Sequence, residues 1–301
     1  MERIAAKLVA AEGGIDFSQP HGEPAIVPPD SVSWQVFRNP VTMFIGGVAA
    51  VLLELGEPGV RTAVWEHSSF RRDPAGRLRR TGMAAMVTVY GARSRFEALA
   101  ARVRGLHSRI AGETPAGKAY RADDPDLLRW VQGTAAFAFM EAYRAYVRPV
   151  SAADRDRYYA EGAAGGALYG TTDVAASEAA IGEMIAAMRP RLEASPILHE
   201  LLDLVAGAEI LPLPFRPMQR VVVRAAVDLL PPHLRVQLGL SGRGRLTVAE
   251  RLALRMLARA ADRAVFPTGP AAQACLRLGL PADYLVRGGG GAWTTGVRVP
   301  R

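Results

Sequence analysis

Apolar residues recur along most of this chain at spacings of three and four, the period of an amphipathic α-helix. The clearest case lies between residues 94 and 112, where one apolar stripe comprises Phe96, Leu99, Ala100, Val103, Leu106 and Ile110. His107 falls on the same stripe. Ser94 and Glu97 have the S-x-x-E spacing of a capping box, so the pattern predicts a helix over this range with His107 facing inward.

Helix-starting signals divide the rest of the chain into further helices. Asp73 precedes Pro74, which predicts a helix from Pro74 to Tyr90. Asp124 opens a long amphipathic segment that Pro149 stops. The S-x-x-D pattern at 151 and the T-x-x-E pattern at 247 predict two more starts. Periodicity predicts later helices at about 176–189, 196–206, 216–229, 247–261 and 269–278.

One helix is predicted to be buried on all sides. From Val41 to Leu53 every residue except Thr42 is apolar or glycine, and Glu54 ends the run. A run of about 13 residues is too short to cross a bilayer, so the pattern indicates a core helix. Gly46 and Gly47 in its middle allow another helix or a ligand to approach closely.

Together these segments predict an all-α fold with a single domain. No stretch shows a convincing β-sheet pattern. Residues 1–30 are rich in Gly and Pro, and we expect them to form an irregular N-terminal arm. We expect one helical domain over residues 31–285 and a flexible tail over residues 286–301, which contain a run of four glycines.

The net charge of +8 is carried almost entirely by arginine. The arginines are interleaved with acidic residues, apart from one dense cluster at residues 71–80, so we do not expect nucleic acid as a partner. Peripheral contact with a membrane surface stays open. A single cysteine, Cys275, excludes an intrachain disulfide, and the N-terminus lacks a secretory signal pattern, so we expect a cytoplasmic protein.

Several enzyme motifs are missing from the sequence. There is no G-x-G-x-x-G after a predicted strand, no G-x-x-x-x-G-K-[ST], no H-E-x-x-H and no G-x-S-x-G. These absences argue against a nucleotide-dependent enzyme and a serine hydrolase. No two of the five histidines are four residues apart, so no two-histidine metal site is encoded on one helix.

The arginine cluster contains candidate chemistry of another kind. Arg77 and Thr81 are four residues apart on a predicted helix, so their side chains share a face, and Arg80 adjoins Thr81. Together with Glu66 or His67 from the preceding helix, this pair could orient oxygen or a substrate. A solvated helix start explains the arginines equally well on spacing alone.

His107 has two interpretations of its own. A neutral imidazole in an apolar slot, with basic groups nearby for two propionates, is sufficient to hold a heme. The arginine cluster at 71–80 could supply those basic groups. A lone histidine on an apolar stripe is more often a hydrogen-bonded core residue than a ligand, so spacing alone favours the core interpretation.

Four stretches occur in a characteristic order: HSSFRRDPAGRLRRT (67–81), Tyr90-Gly91, VRGLHSRIAG (103–112) and YRADDPDLLRWVQGT (120–134). In order and spacing they resemble the family that includes latex-clearing protein (rubber oxygenase) and the oxygenase of mycophenolic acid biosynthesis. The flanks 32–66 and 135–170 resemble it more loosely. The combination is specific, although no single stretch is.

The resemblance implies a globin-like helical core around a b-type heme with a proximal histidine, which falls on His107. It assigns the family's R-x-x-x-T pattern to Arg77 and Thr81, and a further threonine to Thr134. The latex-clearing enzymes have a lysine before the first threonine that can cap the heme, and Arg80 stands there in this chain. Because a protonated guanidinium is a poor iron ligand, we expect an open or water-bound distal side.

The family also implies an acidic distal base, for which we assign Glu66, with His67 as the alternative. The sequence therefore predicts a heme b-dependent oxygenase or oxidoreductase that uses O₂ or peroxide on a small or apolar organic substrate. The alternative is a non-catalytic heme-binding or partner-binding helical protein that kept the fold. Reversible oxygen carriage and charge-driven surface binding are further alternatives.

Overall fold

The computed structural model describes residues 15–210 and 216–288, and within them the predicted all-α, single-domain class is confirmed. The first helices are α1 (Val32–Phe37), α2 (Pro40–Glu54), α3 (Pro58–His67), α4 (Pro74–Tyr90) and α5 (Arg93–His107). A hairpin of β1 (Ala111–Glu113) and β2 (Ala119–Arg121) follows. The later helices are α6 (Pro125–Tyr146), α7 (Ala152–Tyr169), α8 (Glu178–Met188), a 3₁₀ turn (Arg189–Arg191), α9 (Pro196–Gly207), α10 (Arg216–Leu229), α11 (Pro232–Gln237), α12 (Val248–Arg263) and α13 (Pro270–Arg277).

The predicted N-terminal arm and C-terminal tail extend beyond the described ranges. Residues 1–14 and 289–301 lie outside them, so the domain boundaries stay predictions. Residues 15–30 form turns and irregular backbone without a helix. Phe17 and Val27 of this segment are buried in a second apolar cluster, together with Trp34 of α1 and Phe96 of α5. This part of the arm is therefore packed against the helical domain.

The predicted buried helix is α2, and it lies at the centre of the fold. Nine of its residues are buried, and it packs against α6, α10 and α12. Gly46 is the point of closest approach to α6. A Cβ atom there would lie 2.7 Å from Cδ1 of Phe139 and 3.0 Å from the carbonyl oxygen of Ala138. The close approach of another helix, predicted from the glycine pair, is confirmed at Gly46.

Four of the predicted helix starts are confirmed by their side-chain hydrogen bonds. Asp73 accepts from the backbone N–H of Gly76 at 2.8 Å, as an N-cap does. Ser151 and Asp124 cap α7 and α6 in the same way. Thr247 and Glu250 form a complete capping box at the start of α12. Local sequence therefore determines where these helices begin.

The predicted capping box at the start of α5 is wrong. The helix begins at Arg93, one residue before Ser94, and its N-cap residue makes no side-chain bond. The backbone N–H and the hydroxyl of Ser94 instead donate to the carboxylate of Glu23, at 2.6 and 2.9 Å. A carboxylate from the N-terminal arm thus replaces Glu97 as the acceptor, which local spacing could not show.

The predicted extent of α5 is also wrong at its far end. The helix stops at His107, and residues 111–113 pair antiparallel with 119–121. Gly112 lies against the ring of Tyr120, where a Cβ atom would be 2.9 Å from the phenol oxygen. Leu106, predicted to be on the buried stripe, is 51% exposed. Only the first half of the stripe, at Phe96 and Ala100, reaches the core.

Among the described residues, no single helix is both long and apolar enough to cross a membrane. α2 and α3 meet the criteria of length and composition only as a pair bent by 113°. The apolar surface of α2 is mostly buried within the protein.

The two central glycines of α2 provide a matched test of the α2–α6 contact. We expect Gly46→Ala to lower the free energy of unfolding by about 1–3 kcal/mol, because the added methyl group meets the backbone of α6. Gly47→Ala should raise it by up to about 1 kcal/mol, because its methyl group has only an ordinary contact, at 3.9 Å from Phe139, and alanine favours helix. Urea unfolding of both variants measures the difference, and equal effects would contradict the packing.

Candidate active site

The middle of α4 lacks buried residues although the helix packs against five others. α4 contacts α1, α2, α5, α9 and α13. Its buried residues are Gly76 near the start and Val87, Val89 and Tyr90 near the end, so residues 77–86 all remain at least partly accessible. In a close-packed interior, a helix keeps accessible side chains only where open space adjoins it. The middle of α4 therefore adjoins open space.

A cavity of about 250 Å³ adjoins one side of this stretch. Its walls are mostly apolar and come from α2, α4 and the segment after α12; they include Met43, Phe44, Leu78, Gly82, Met86 and Phe266. Thr81 also borders the cavity, whereas Arg77 and His107 do not line it. Small-molecule sites are typically apolar enclosures with a few polar groups, which this cavity resembles.

Arg77 and Thr81 share a face of α4, as their spacing predicts. The Arg77 guanidinium donates a hydrogen bond to the Thr81 hydroxyl. The same hydroxyl donates to the carbonyl oxygen of Arg77 at 3.0 Å. Burial lowers the pKa of Arg77, but a guanidinium stays protonated at neutral pH. The pair therefore presents a fixed positive charge beside an oriented hydroxyl.

Glu54 is a candidate that the sequence reasoning missed. It is the last residue of α2 and the only ionisable one in that helix. Burial raises the pKa of its carboxyl to about 7, and the positive charge of Arg77 partly opposes that rise. A carboxyl with a pKa near 7 can both accept and donate a proton at neutral pH. The sequence shows this carboxylate only as the end of an apolar run, and its burial near Arg77 depends on the tertiary fold.

His107 is the last residue of α5, and its ring nitrogen Nδ1 is buried. That nitrogen has no hydrogen-bond partner within the described ranges. Burial and, after it, the charge of Arg77 lower the pKa of His107, whereas Asp123 raises it. The imidazole is therefore neutral at pH 7. Because Arg77 acts on both Glu54 and His107, the three side chains form one electrostatic cluster.

The chemistry of this cluster fits a heme. A neutral imidazole is the form of histidine that binds iron, and a heme needs only one such protein ligand. Across residues 15–210 and 216–288, no group of three or more His, Cys, Asp or Glu could hold a metal ion. A buried nitrogen without a partner is costly, so an interaction at His107 Nδ1 would remove that cost.

Arg80 is directed toward the loop before α4. Its guanidinium donates to the hydroxyl of Ser69 and to the carboxylate of Asp73, the latter at 3.4 Å. Its side chain is 42% exposed. The positive charge thus lies partly exposed, in contact with the N-cap of α4.

The remaining sequence-predicted residues lie elsewhere. Glu66 and His67 are exposed at the end of α3, where Nε2 of His67 lies 3.2 Å from the hydroxyl of Tyr120 in the hairpin. Thr134 is fully buried in α6, and its hydroxyl donates to the carbonyl oxygen of Trp130 at 2.8 Å. In the described part of the chain, no hydrogen bond or charge interaction joins these three residues to Arg77 or His107. Their assigned roles stay predictions.

Most of the chain matches one protein family. Residues 34–263 match the family described as "ER-bound oxygenase mpaB/B'/Rubber oxygenase, catalytic domain". The chain belongs to this family. The matched region of the oxygenase domain contains Glu54, Arg77, Thr81 and His107. Searches of curated proteins found no match. No solved structure matched either.

The raised pKa of Glu54 has a consequence for stability. In the unfolded chain the carboxyl releases its proton near pH 4.5, but in the folded protein only near pH 7. The folded state therefore binds the proton more tightly, so this group stabilises the fold at low pH and the contribution is lost as pH rises from 4.5 to 7. Relative to Glu54→Gln, the native protein should lose up to about 3 kcal/mol over that range.

Urea unfolding at a series of pH values measures this difference. Glu183→Gln, which removes an exposed carboxylate on α8, is the control. Parallel pH curves for the native protein and Glu54→Gln would show that Glu54 is solvated and that the assigned burial is wrong.

Proposed function

We propose that this protein is a heme b-dependent oxygenase that acts on a small or apolar organic substrate with O₂ or peroxide. The observation that carries the proposal is the buried, unpartnered Nδ1 of His107, close to Arg77 within an oxygenase catalytic domain. His107 is the proposed iron ligand. The apolar cavity bordered by Thr81 supports an apolar substrate.

Each residue of the cluster has a distinct role in this proposal. A heme bound through His107 would supply redox-active iron for reactions with O₂ or peroxide. Burial and Arg77 keep the imidazole of His107 neutral. Arg77 provides positive charge that favours anionic groups nearby, and its hydrogen bond fixes the hydroxyl of Thr81. Glu54 accepts or returns a proton near pH 7.

Arg80 and Thr134 have supporting roles in the proposal. Arg80 is exposed one residue before Thr81 and could exchange Asp73 for a heme propionate, since both are carboxylates. Thr134 is buried and already bonded within α6, so it would contribute to the shape of the helical core. Glu54 replaces Glu66 as our preferred proton-transfer group, because Glu54 is buried close to Arg77 and Glu66 is exposed.

The heme ligand can be tested by absorption spectroscopy. Protein expressed with a supply of heme should show a Soret band, and His107→Ala should weaken heme binding by more than about 100-fold, since even the outer partners of a metal-bound histidine contribute 10- to 100-fold. Because the pKa of His107 is lowered, the band should persist below pH 6.5 and disappear at lower pH as the imidazole becomes protonated.

His67→Ala is the matched control, because His67 is exposed and bonded to Tyr120. It should leave the band unchanged. Absence of a Soret band in the native protein would overturn the heme proposal. A band that depends on His107, without any turnover of O₂ or peroxide, would favour the alternative of a non-catalytic heme-binding protein.

Variants of Glu54 and Glu66 test which of the two carboxyl groups transfers the proton. In heme-loaded protein, we expect Glu54→Gln to lower peroxide-dependent oxidation of a dye by about 100-fold or more, the usual contribution of a general acid or base. The native rate should rise with pH through about 7, as Glu54 loses its proton, and the variant should lack this step. An unchanged Soret band would show that heme remains bound. A loss in Glu66→Gln instead would support the assignment made from the sequence.

A further inference from the structure

The cavity beside α4 has an uneven distribution of charge. No carboxylate is among the described residues that line it, whereas two arginines, Arg38 and Arg79, are. Almost all of the other lining residues are apolar. The cavity therefore combines an apolar interior with positive charge, and the state of each arginine decides which ligand it suits.

Arg38 is already neutralised. Its guanidinium lies 3.0 Å from the carboxylate of Asp262, and its Nε donates to Gln35 at 3.0 Å. The side chain is only 10% exposed. This arginine thus holds α1 against α12 and has its charge balanced within the protein.

Arg79 differs from Arg38 in its surroundings. It is half-buried on α4, and no hydrogen bond or ion pair joins its side chain to another residue of the described ranges. The other polar side chains at the cavity are committed, because the Tyr90 hydroxyl donates to the carbonyl of Trp34 at 2.6 Å and Thr81 is bonded to Arg77. Arg79 is therefore the charged group that the cavity offers to a ligand.

Gly82 provides the space for an apolar chain. It lines the cavity one turn from Leu78, and a Cβ atom there would meet no atom within 4 Å. Glycine in the middle of a helix costs about 1 kcal/mol relative to alanine, and a large side chain at this position would extend into the cavity. The helix thus has an unfilled surface where an elongated apolar group can pack.

We propose that this cavity binds an amphiphile with a single anionic headgroup, such as a long-chain carboxylate. Arg79 pairs with the head, because a guanidinium matches a carboxylate in geometry and charge. The apolar tail packs on α2 and α4 along Gly82. The tail also reaches the surroundings of Thr81, so the ligand is our substrate class for the oxygenase; that second statement rests on the proposed function, whereas binding does not.

Calorimetric titration of the 301-residue chain tests which headgroup the cavity prefers. Decanoate, decanol and decylamine share one tail and differ in the charge of the head, and each is used below the concentration at which it forms micelles. Decanoate should bind at least about 10-fold more tightly than the other two, the value of one hydrogen-bonded charge pair. Equal or tighter binding of decylamine would overturn the proposal.

Variants at Arg79 and Gly82, one turn apart on α4, test the location. Arg79→Gln should weaken decanoate about 10-fold and Arg79→Lys should restore most of the loss. Arg72→Gln, at an exposed arginine outside the cavity lining, should have no effect. Gly82→Phe and Gly82→Leu should abolish binding by filling the cavity without lowering the melting temperature. Gly182→Phe, at an equally open glycine on α8, is the control, and decanoate binding that survives Gly82→Phe would overturn the location.

The source of the ligand is distinguished with vesicles of phosphatidylglycerol. Binding of free decanoate without sedimentation on vesicles supports a soluble ligand, and sedimentation that Gly82→Phe abolishes supports a lipid taken from the bilayer. Sedimentation insensitive to Gly82→Phe, without binding of decanoate, indicates contact with a membrane surface outside the cavity and overturns the cavity site. All titrations are run with and without heme, so a failure of heme binding is not mistaken for a failure of this site.

Discussion

The close crossing of α2 and α6 at Gly46 is the constraint on which the site depends. The helices approach so closely that a Cβ atom at Gly46 has no room, which holds α2 in the centre of the fold. The C-terminal residue of α2, Glu54, is partly buried close to Arg77, and burial raises its pKa. Gly47, which follows Gly46 in α2, lines the cavity. Of the two adjacent glycines, Gly46 thus allows the helices to pack closely and Gly47 leaves space in the cavity.

Arg77 is the second constraint, because it interacts with residues on three helices. It lowers the pKa of His107 on α5 and opposes the rise in the pKa of Glu54 on α2. It also holds the hydroxyl of Thr81 within α4. Removing this one charge would raise the pKa of Glu54 further, and it would make His107 easier to protonate. One arginine therefore influences the pKa of both the acid and the imidazole.

The sequence predicted what depends on local signals. The start of α4 at Asp73, the capping box at Thr247 and the buried character of α2 all follow from short-range spacing, and all are confirmed. The errors lie where a distant segment intervenes. Glu23 replaces the predicted cap of Ser94, and Tyr120 packs on Gly112 where a helix was expected.

In the candidate site too, features that depend on local spacing were predicted and features that depend on the tertiary fold were not. Residues on one helix, such as Arg77 and Thr81, were paired correctly from their spacing. Glu54 was missed because its raised pKa comes from burial, a property of the assembled fold rather than of neighbouring residues. Glu66 was assigned as the acidic distal base that the family resemblance implies, but the fold leaves it exposed at the end of α3.

The two faces of α4 explain why its middle stays accessible. Arg77, Thr81 and Thr88 lie on one face by their spacing, and Leu78, Gly82 and Met86 lie on another, which borders the cavity. Thr81 belongs to both, since it bonds to Arg77 and also lines the cavity. An apolar ligand in the cavity would therefore lie next to the polar cluster without displacing it. Close packing of both faces would stabilise the helix but leave no open space beside Thr81.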